Sequence, residues 1–206
     1  MTAYRTEQEA FWSGEFGDEY SIRNTGAGWV AANTALFTKI LARTSRVESV
    51  IEFGANIGLN LQALRHLLPE ARLGAVEINA SAVATLRGWG GCEEIIHDSI
   101  LNCEPTNTYD LSFTKGVLIH INPDELASVY ERLYRSSYRY VLVVEYYNPS
   151  PVEIPYRGHS GRLFKRDFAG EMLDMYSDLR LVDYGFVWKR DPNFPQDDAT
   201  WFLMEK

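Results

Sequence analysis

Glu52-Phe53-Gly54-Ala55-Asn56-Ile57-Gly58 lies between a short apolar run, Val50 to Phe53, and a stretch from Asn60 to Leu68 whose apolar residues recur at helical spacing. The reading is strand, tight turn, helix. Gly54 and Gly58 let the backbone turn sharply and approach a ligand closely, where a Cβ would obstruct. E-x-G-x-x-x-G carries little weight as a bare pattern, and its position at a strand-to-helix junction raises it. One unit further on, Leu73 to Ile78 is a second apolar run containing Glu77, at the place where such folds set a carboxylate against ribose hydroxyls. Neither the G-x-G-x-x-G pattern of nicotinamide sites nor a phosphate loop ending in Gly-Lys-Ser/Thr occurs. A turn with fewer backbone donors for pyrophosphate suits a cofactor without phosphates.

Outward from this turn, strand and helix patterns alternate. Ser81 to Arg87 predicts a helix with Asn79 or Ser81 as its N-cap, and Ile95-Ile96 marks a brief third strand ending at His97 and Asp98. Tyr109 to Phe113, extending into Val117 to Ile121, gives a fourth apolar stretch. Asn122-Pro123-Asp124-Glu125 starts a helix that runs to about Ser136. Tyr138 to Tyr146, with Val141 to Val144 in a row, predicts a central strand covered on both faces. Leu179 to Trp188 and Thr200 to Met204 predict two more strands around the turn-rich Asp191 to Asp198, with no helix between them, so they pair antiparallel. Repeated strand-helix units imply an α/β Rossmann-like domain: a mostly parallel seven-stranded sheet, helices on both faces, and an antiparallel C-terminal strand pair. Helical patterns at about Glu7 to Trp12 and Trp29 to Leu41 precede the first strand, so residues 1–45 are expected to form a helical cap or lid on residues 46–206, the whole being one compact domain.

Bulk properties narrow the function. A formal net charge of −8 over 206 residues disfavours nucleic-acid partners, whose binding draws on clustered Lys and Arg. No apolar run is long enough to span a bilayer, and the polar start lacks the features of a signal peptide, so a cytoplasmic protein is expected. Cys92 and Cys103 have no metal-ligand spacing and are read as structural, with no metal expected. Oligomeric state is left open.

Three further stretches bear chemistry. Lys115-Gly116-Val117-Leu118-Ile119-His120 puts a histidine at a helix approach beyond the fourth strand, where a neutral imidazole can take a proton from an attacking group; a packing or cofactor-contact role is the alternative. Phe11-Trp12-Ser13-Gly14-Glu15-Phe16-Gly17-Asp18-Glu19-Tyr20-Ser21-Ile22-Arg23-Asn24 is aromatic, glycine-rich and polar, suited either to a lid placing Arg23 near a carboxylate or to covering an apolar edge. From Glu145-Tyr146-Tyr147-Asn148-Pro149 through Tyr156-Arg157-Gly158-His159 to Lys165, the residues Arg157, His159, Arg162 and Lys165 can grip an anion and Tyr146 and Tyr156 can stack on an acceptor, the alternative being a solvated basic loop.

The glycine turn resembles motif I of the class I S-adenosylmethionine-dependent methyltransferases, over roughly residues 46 to 146. FWSGEFGDEYSIRN, EFGANIGLNL, GVLIHINP and EYYNPSPVEIPYRGH…RLFKRDFAGE further resemble the bacterial pseudaminic acid biosynthesis-associated methyltransferases, over most of the chain. The resemblance implies S-adenosylmethionine as cofactor, S-adenosylhomocysteine as product, and a small polar, anionic acceptor such as a sugar or nucleotide-sugar of nonulosonic acid metabolism. It implies that Glu52 and Gly54 line the amino-acid end of the cofactor, that Asn56 and Gly58 support the turn, that Glu77 and Ile78 hold the ribose, and that Asp98 and Ser99 lie near the adenine. Lys115, Gly116 and Arg23 complete that set. His120 and Tyr146 are the expected catalytic residues; Trp12, Tyr20, Asn24, Tyr147, Asn148, Tyr156, Arg157, His159, Arg162 and Lys165 are expected to bind the acceptor. An amino acid or peptide amine as acceptor, and a non-catalytic S-adenosylmethionine-binding protein, are the rival readings, with a nicotinamide-dependent reductase disfavoured by the missing fingerprint.

Overall fold

A computed structural model describes residues 4–206. The chain order is α1 (Glu7–Ser13), α2 (Glu15–Arg23), α3 (Ala27–Leu41), β1 (Ser49–Phe53), α4 (Leu59–Leu67), β2 (Arg72–Glu77), α5 (Ala80–Trp89), β3 (Glu94–His97), β4 (Tyr109–Lys115), α6 (Leu126–Ser136), β5 (Ser137–Glu145), β6 (Val152–Glu153), β7 (Phe164–Lys165), α7 (Phe168–Met175), β8 (Arg180–Val187) and β9 (Ala199–Glu205). Seven strands form one sheet in the order β3-β2-β1-β4-β5-β9-β8. The first five are parallel, and β9 pairs antiparallel with both β5 and β8. Strand order reverses between β1 and β4, which opens a crevice at their carboxyl ends.

Alternation along the strands builds two cores. Val50, Leu142 and Val144 face one side with Leu36, Phe37 and Ile40 of α3 and Leu61 and Leu64 of α4. Ile51, Val141 and Val143 face the other, against Leu126, Val129 and Leu133 of α6 and Phe168 and Met172 of α7. A register irregularity between Tyr109 and Leu111 moves Tyr109 to the second core while Leu111 and Phe113 stay in the first. Helix α3 is thus part of the core, and within the 1–45 segment the cap proper is α1 and α2.

Four elements were not legible in the sequence. Helix α2 runs through the glycine-rich segment, α7 follows Asp167 as N-cap, and β6 with β7 forms a two-stranded sheet. Gly17 reads as a helix breaker, but its missing Cβ is what lets α2 meet α1: a Cβ there would stand 1.9 Å from the Trp12 carbonyl oxygen and 2.9 Å from Asn79 Nδ2. The fourth apolar stretch is broken after Lys115 by Gly116 at φ +68°, and Leu118–His120 forms a short 3-10 helix instead of continuing the strand.

Gly17→Ala adds a good helix former inside a helix, yet the overlap with Trp12 should undock the cap and cost roughly 1–3 kcal/mol. The expected outcome is a lower Tm and faster proteolytic cleavage within α1 and α2; an unchanged Tm and cleavage pattern would show that the cap does not depend on this contact.

Candidate functional site

The carboxyl ends of β1, β2, β4 and β5 open into a cavity of about 530 Å³, roofed by α1 and α2. Its floor is the β1–α4 turn. Gly54 takes φ +79° beside Val117, whose Cγ2 would lie 2.5 Å from an added Cβ; Asn56 is itself left-handed at φ +48°. Glu77 at the end of β2 holds this turn, its two oxygens accepting the N–H groups of Asn56 and Asn79, each at 2.7 Å. Burial pushes the Glu77 carboxyl up, and these backbone donors oppose the rise. Glu52 is fully buried beneath the cavity with Asn60 Nδ2 2.6 Å from its Oε1, and burial lifts it to about 8. Lys115 lines the cavity near Glu52, Asp197 and Glu145, with burial driving its ammonium down.

His120 is placed by Glu145. Buried at the end of β5, this carboxylate accepts the N–H groups of Val117, Leu118 and Ile119 at 2.9, 3.0 and 3.4 Å, fastening the turn that carries the histidine. Burial raises Glu145 to about 7 against the pull of those donors. His120 Nδ1 lies 2.5 Å from the Arg162 carbonyl oxygen. A carbonyl only accepts, so Nδ1 carries the proton and Nε2 keeps the free lone pair. Burial depresses the imidazole to about 4, so it is neutral at physiological pH. The Trp12 and Tyr156 rings flank it at 4.6 and 4.9 Å between centroids.

Helix α2 turns Gly17, Tyr20, Ser21 and Asn24 to the cavity, the i, i+3, i+4, i+7 face. Ser21 Oγ donates to Asn56 Oδ1 at 2.7 Å, and Asn79 Nδ2 donates to Asp18 at 2.9 Å, latching the cap to the β1–α4 and β2–α5 loops.

The cavity wall gathers Gly54, Asn56, Glu77, Ile78, Ser99, Lys115, Gly116, His120, Tyr146, Trp12, Tyr20, Asn24, Tyr156 and Arg157 from the expected set. The remainder stand elsewhere. Asp98 is exposed, its Oδ1 accepting the Ser99 N–H at 2.6 Å, so the side chain caps its own turn. Arg23 is exposed and does not reach the cavity wall, its guanidinium drawn to Glu19 at 2.8 Å and lying over the Phe16 ring. Gly58 caps α4 at φ +82° with Leu86 Cδ1 only 2.4 Å from where a Cβ would sit, a helix-packing role. Arg162 pairs with Glu7 and lies over Phe11; Lys165 lies over Tyr146. His159 joins Phe11 and Phe16, Asn148 bonds Ser150, and Tyr147 packs near Phe202. Most of the basic stretch therefore braces the cap and leaves Arg157 as its cavity residue.

No family model matches the chain, and no curated protein does. Among solved structures, the chain is similar to a 1,6-didemethyltoxoflavin-N1-methyltransferase from Burkholderia thailandensis with its substrate and S-adenosylhomocysteine bound (15% identity, 100% of this chain, 93% of that one, TM-score 0.68). It is similar also to a magnesium protoporphyrin IX methyltransferase from Synechocystis with bound S-adenosylmethionine (12%, 100% of both chains, TM-score 0.66). A mitomycin 7-O-methyltransferase aligns at 15% identity and TM-score 0.68 over 98% of this chain and 61% of its own. The chain has the class I methyltransferase fold.

Within that fold the sequence reading missed Asn33, Asn60, Gln196 and Asp197, all on the cavity wall. Gln196 is buried and donates to the Ala32 carbonyl at 2.7 Å, pinning the β8–β9 connection over the site. Nothing local marks these residues; a turn-rich segment gives no sign of which strand end it will cross.

His120 remains neutral in the folded chain down to about pH 4, against 6.5 for an ordinary histidine. Between those values the unfolded chain holds the extra proton, so the stability owed to neutral His120 is complete above about pH 6.5 and falls as pH drops toward 4, by about 3 kcal/mol in all. His120→Gln should flatten this part of the acid denaturation profile, and limbs parallel to wild type would mean that the folded imidazole is charged. Glu145→Ala strands the N–H donors of the His120 turn and should cost about 2–4 kcal/mol in chemical denaturation, a loss under 1 kcal/mol refuting its fastening role.

Proposed function

We propose that this protein is an S-adenosylmethionine-dependent methyltransferase acting on a small polar acceptor. The observation that carries the reading is the set of buried polar atoms without partners on the cavity wall and directly beneath it. Glu52 Oε2, Asn60 Oδ1, Asn33 Oδ1 and Gln196 Oε1 have no hydrogen-bond donor. The orphaned amide oxygens of Asn33, Asn60 and Gln196 on this wall fit a ligand with several N–H donors, as in the α-ammonium of an amino acid, and the Trp12 Nε1–H, also without a partner, is a donor left for the ligand. Lys115, also on this wall, is the cation available to an α-carboxylate, and Glu77 beside the glycine turn faces the position expected for a ribose. The residues present thus fit S-adenosylmethionine, and the cap with Trp12 and Tyr20 covers the crevice against water. The S-adenosylmethionine or S-adenosylhomocysteine bound in neighbours of the same fold supports this cofactor.

When bound, the cofactor supplies an electrophilic methyl group on a positively charged sulfur. The protein's part is alignment and proton removal. His120 Nε2 accepts the hydrogen bond of an acceptor hydroxyl and takes its proton as the oxygen gains the methyl, while Nδ1–H to the Arg162 carbonyl holds the ring in the required tautomer. Its depressed basicity makes it a weak base but keeps the lone pair available throughout the physiological range. Tyr146 and Tyr156 line the acceptor side. The resemblance to pseudaminic acid biosynthesis-associated methyltransferases favours a sugar or nucleotide-sugar acceptor with an anionic group, for which Arg157 is the counter-ion. An amino acid or peptide acceptor uses the same groups.

Calorimetric titration tests the cofactor: S-adenosylmethionine should bind at about −8 kcal/mol or better and NADH should not, and binding of neither would remove the reading. His120→Ala should lower turnover roughly 100-fold with cofactor affinity held within a few-fold. Equal loss of both would make His120 a binding residue.

A further inference from the structure

Two opposite charges face the cavity without neutralising each other. Arg157 and Asp197 both line it, and among the described residues neither belongs to any ion pair. They arrive on separate loops, Arg157 from the β6–β7 connection and Asp197 from the β8–β9 connection.

Arg157 is held there at a conformational cost. Tyr156-Arg157-Gly158-His159 is a tight turn closed by backbone hydrogen bonds in both directions between Tyr156 and His159, 2.8 and 2.9 Å. Arg157 and Gly158 take φ values of +48° and +86°, the paired positive angles of a type I′ turn that normally selects Asn, Asp or Gly. A residue with a Cβ, such as Arg, costs roughly 1–2 kcal/mol in this region, and such strain persists where the surroundings over-determine it. The bracing is visible: Tyr156 packs on His120 and lies 5.9 Å from Phe16, and His159 stands edge-on to Phe11 at 5.1 Å. The guanidinium carbon sits 5.9 Å from the centre of the Tyr156 ring.

Asp197 is fixed differently, through its neighbour. Gln196 is anchored to Ala32 in α3, which sets the backbone position from which the exposed Asp197 side chain lines the cavity. Its carboxylate faces Tyr20 and Tyr146, and it opposes ionisation of both phenols; Arg157 favours ionisation of Tyr20. The two charges therefore act on one region of the cavity, around the Tyr20 hydroxyl, from opposing loops.

A cation and an anion that belong to no ion pair and stand solvent-exposed at the edge of one aromatic-walled space complement a ligand that carries both charges itself. We infer that the acceptor is dipolar: a carboxylate or phosphate docks on Arg157, a protonated amine docks on Asp197, and Trp12, Tyr20 and Tyr156 hold the body between them so that a hydroxyl reaches His120. This inference rests on the methyltransferase reading of the site. It narrows the acceptor from any acidic small molecule to amino acids, amino-sugar acids and their like, and makes the hydroxyl, not the charged amine, the methylated group.

The test is calorimetry on the protein loaded with S-adenosylhomocysteine, using two matched probe sets. One is muramic acid, N-acetylmuramic acid, glucosamine and glucuronic acid; the other is tyrosine, N-acetyltyrosine, tyramine and 3-(4-hydroxyphenyl)propionate. In at least one set the dipolar member should bind about tenfold or more tighter than every member lacking either charge. Arg157→Gln should erase the preference for the anionic group and Asp197→Asn the preference for the amine, each separately. Equal binding of capped and free amines, or no preference for the dipolar member in either set, overturns the inference. So does a loss of S-adenosylhomocysteine affinity in Asp197→Asn, which would give that carboxylate to the cofactor. Failure of S-adenosylhomocysteine to bind the wild-type chain at all would instead remove the methyltransferase reading and the inference with it.

Discussion

Buried carboxylates at the carboxyl edge of the sheet hold the site together. Glu52 lies one residue before the end of β1, Glu77 ends β2 and Glu145 ends β5, and each is at most 7% exposed. Taking a carboxylate out of water is costly unless donors meet it. Here the donors are the groups of the surrounding loops: Asn60 for Glu52, the Asn56 and Asn79 amides for Glu77, and the Val117 to Ile119 amides for Glu145. Each carboxylate thereby converts a strand end, which the sheet makes rigid, into a fixed loop position. Glu77 and Glu145 are satisfied in this way. Glu52 retains an oxygen without a partner, and burial lifts it to about 8.

The cap depends on this edge. Asn56 and Asn79, fixed by Glu77, are the residues that Ser21 and Asp18 reach from α2. On the far side, Gln8 donates to the Gly161 carbonyl at 2.9 Å and Arg162 pairs with Glu7, while the Arg162 carbonyl holds His120. One short segment, Gly161-Arg162, therefore links α1 to the imidazole. Around it Phe11, Trp12, Phe16, Tyr156, His120 and His159 pack ring against ring at centroid distances between 4.1 and 6.5 Å. Their combined apolar area dries the space over His120, and the same drying lowers its pKa.

The division of labour in the basic stretch follows from geometry. Four basic residues close in sequence were candidates for gripping an anion, but three of them engage groups of the protein: Arg162 with Glu7, Lys165 over the Tyr146 ring, and His159 within the aromatic cluster. Arg157 alone of the four reaches the cavity wall, because a type I′ turn projects it there.

Much of the architecture was legible in the sequence because it rests on local periodicity. The seven strands, the glycine turn between β1 and α4, Asn79 as N-cap of α5 and the antiparallel final pair each have a signal within a dozen residues, set by backbone sterics and by which faces must be buried. The position of Glu77, Lys115 and His120 at the cavity follows from the same rule, since each ends or just follows a parallel strand. Helix α2 was hidden because Gly17 answers to Trp12 and Asn79 and not to its own helix. Asp98 and Arg23 fall outside the cavity because a short side chain turned back to its own loop and a long one was drawn to Glu19 and the Phe16 ring. Asn33, Asn60, Gln196 and Asp197 came together only in the folded chain, from α3, α4 and the β8–β9 connection, separated by up to 164 residues in sequence. Sequence determined the sheet and the strand ends that face the cavity, because those obey near-neighbour rules; which side chains complete the cavity was decided by tertiary packing, because close approach and shared desolvation exist only once distant segments meet.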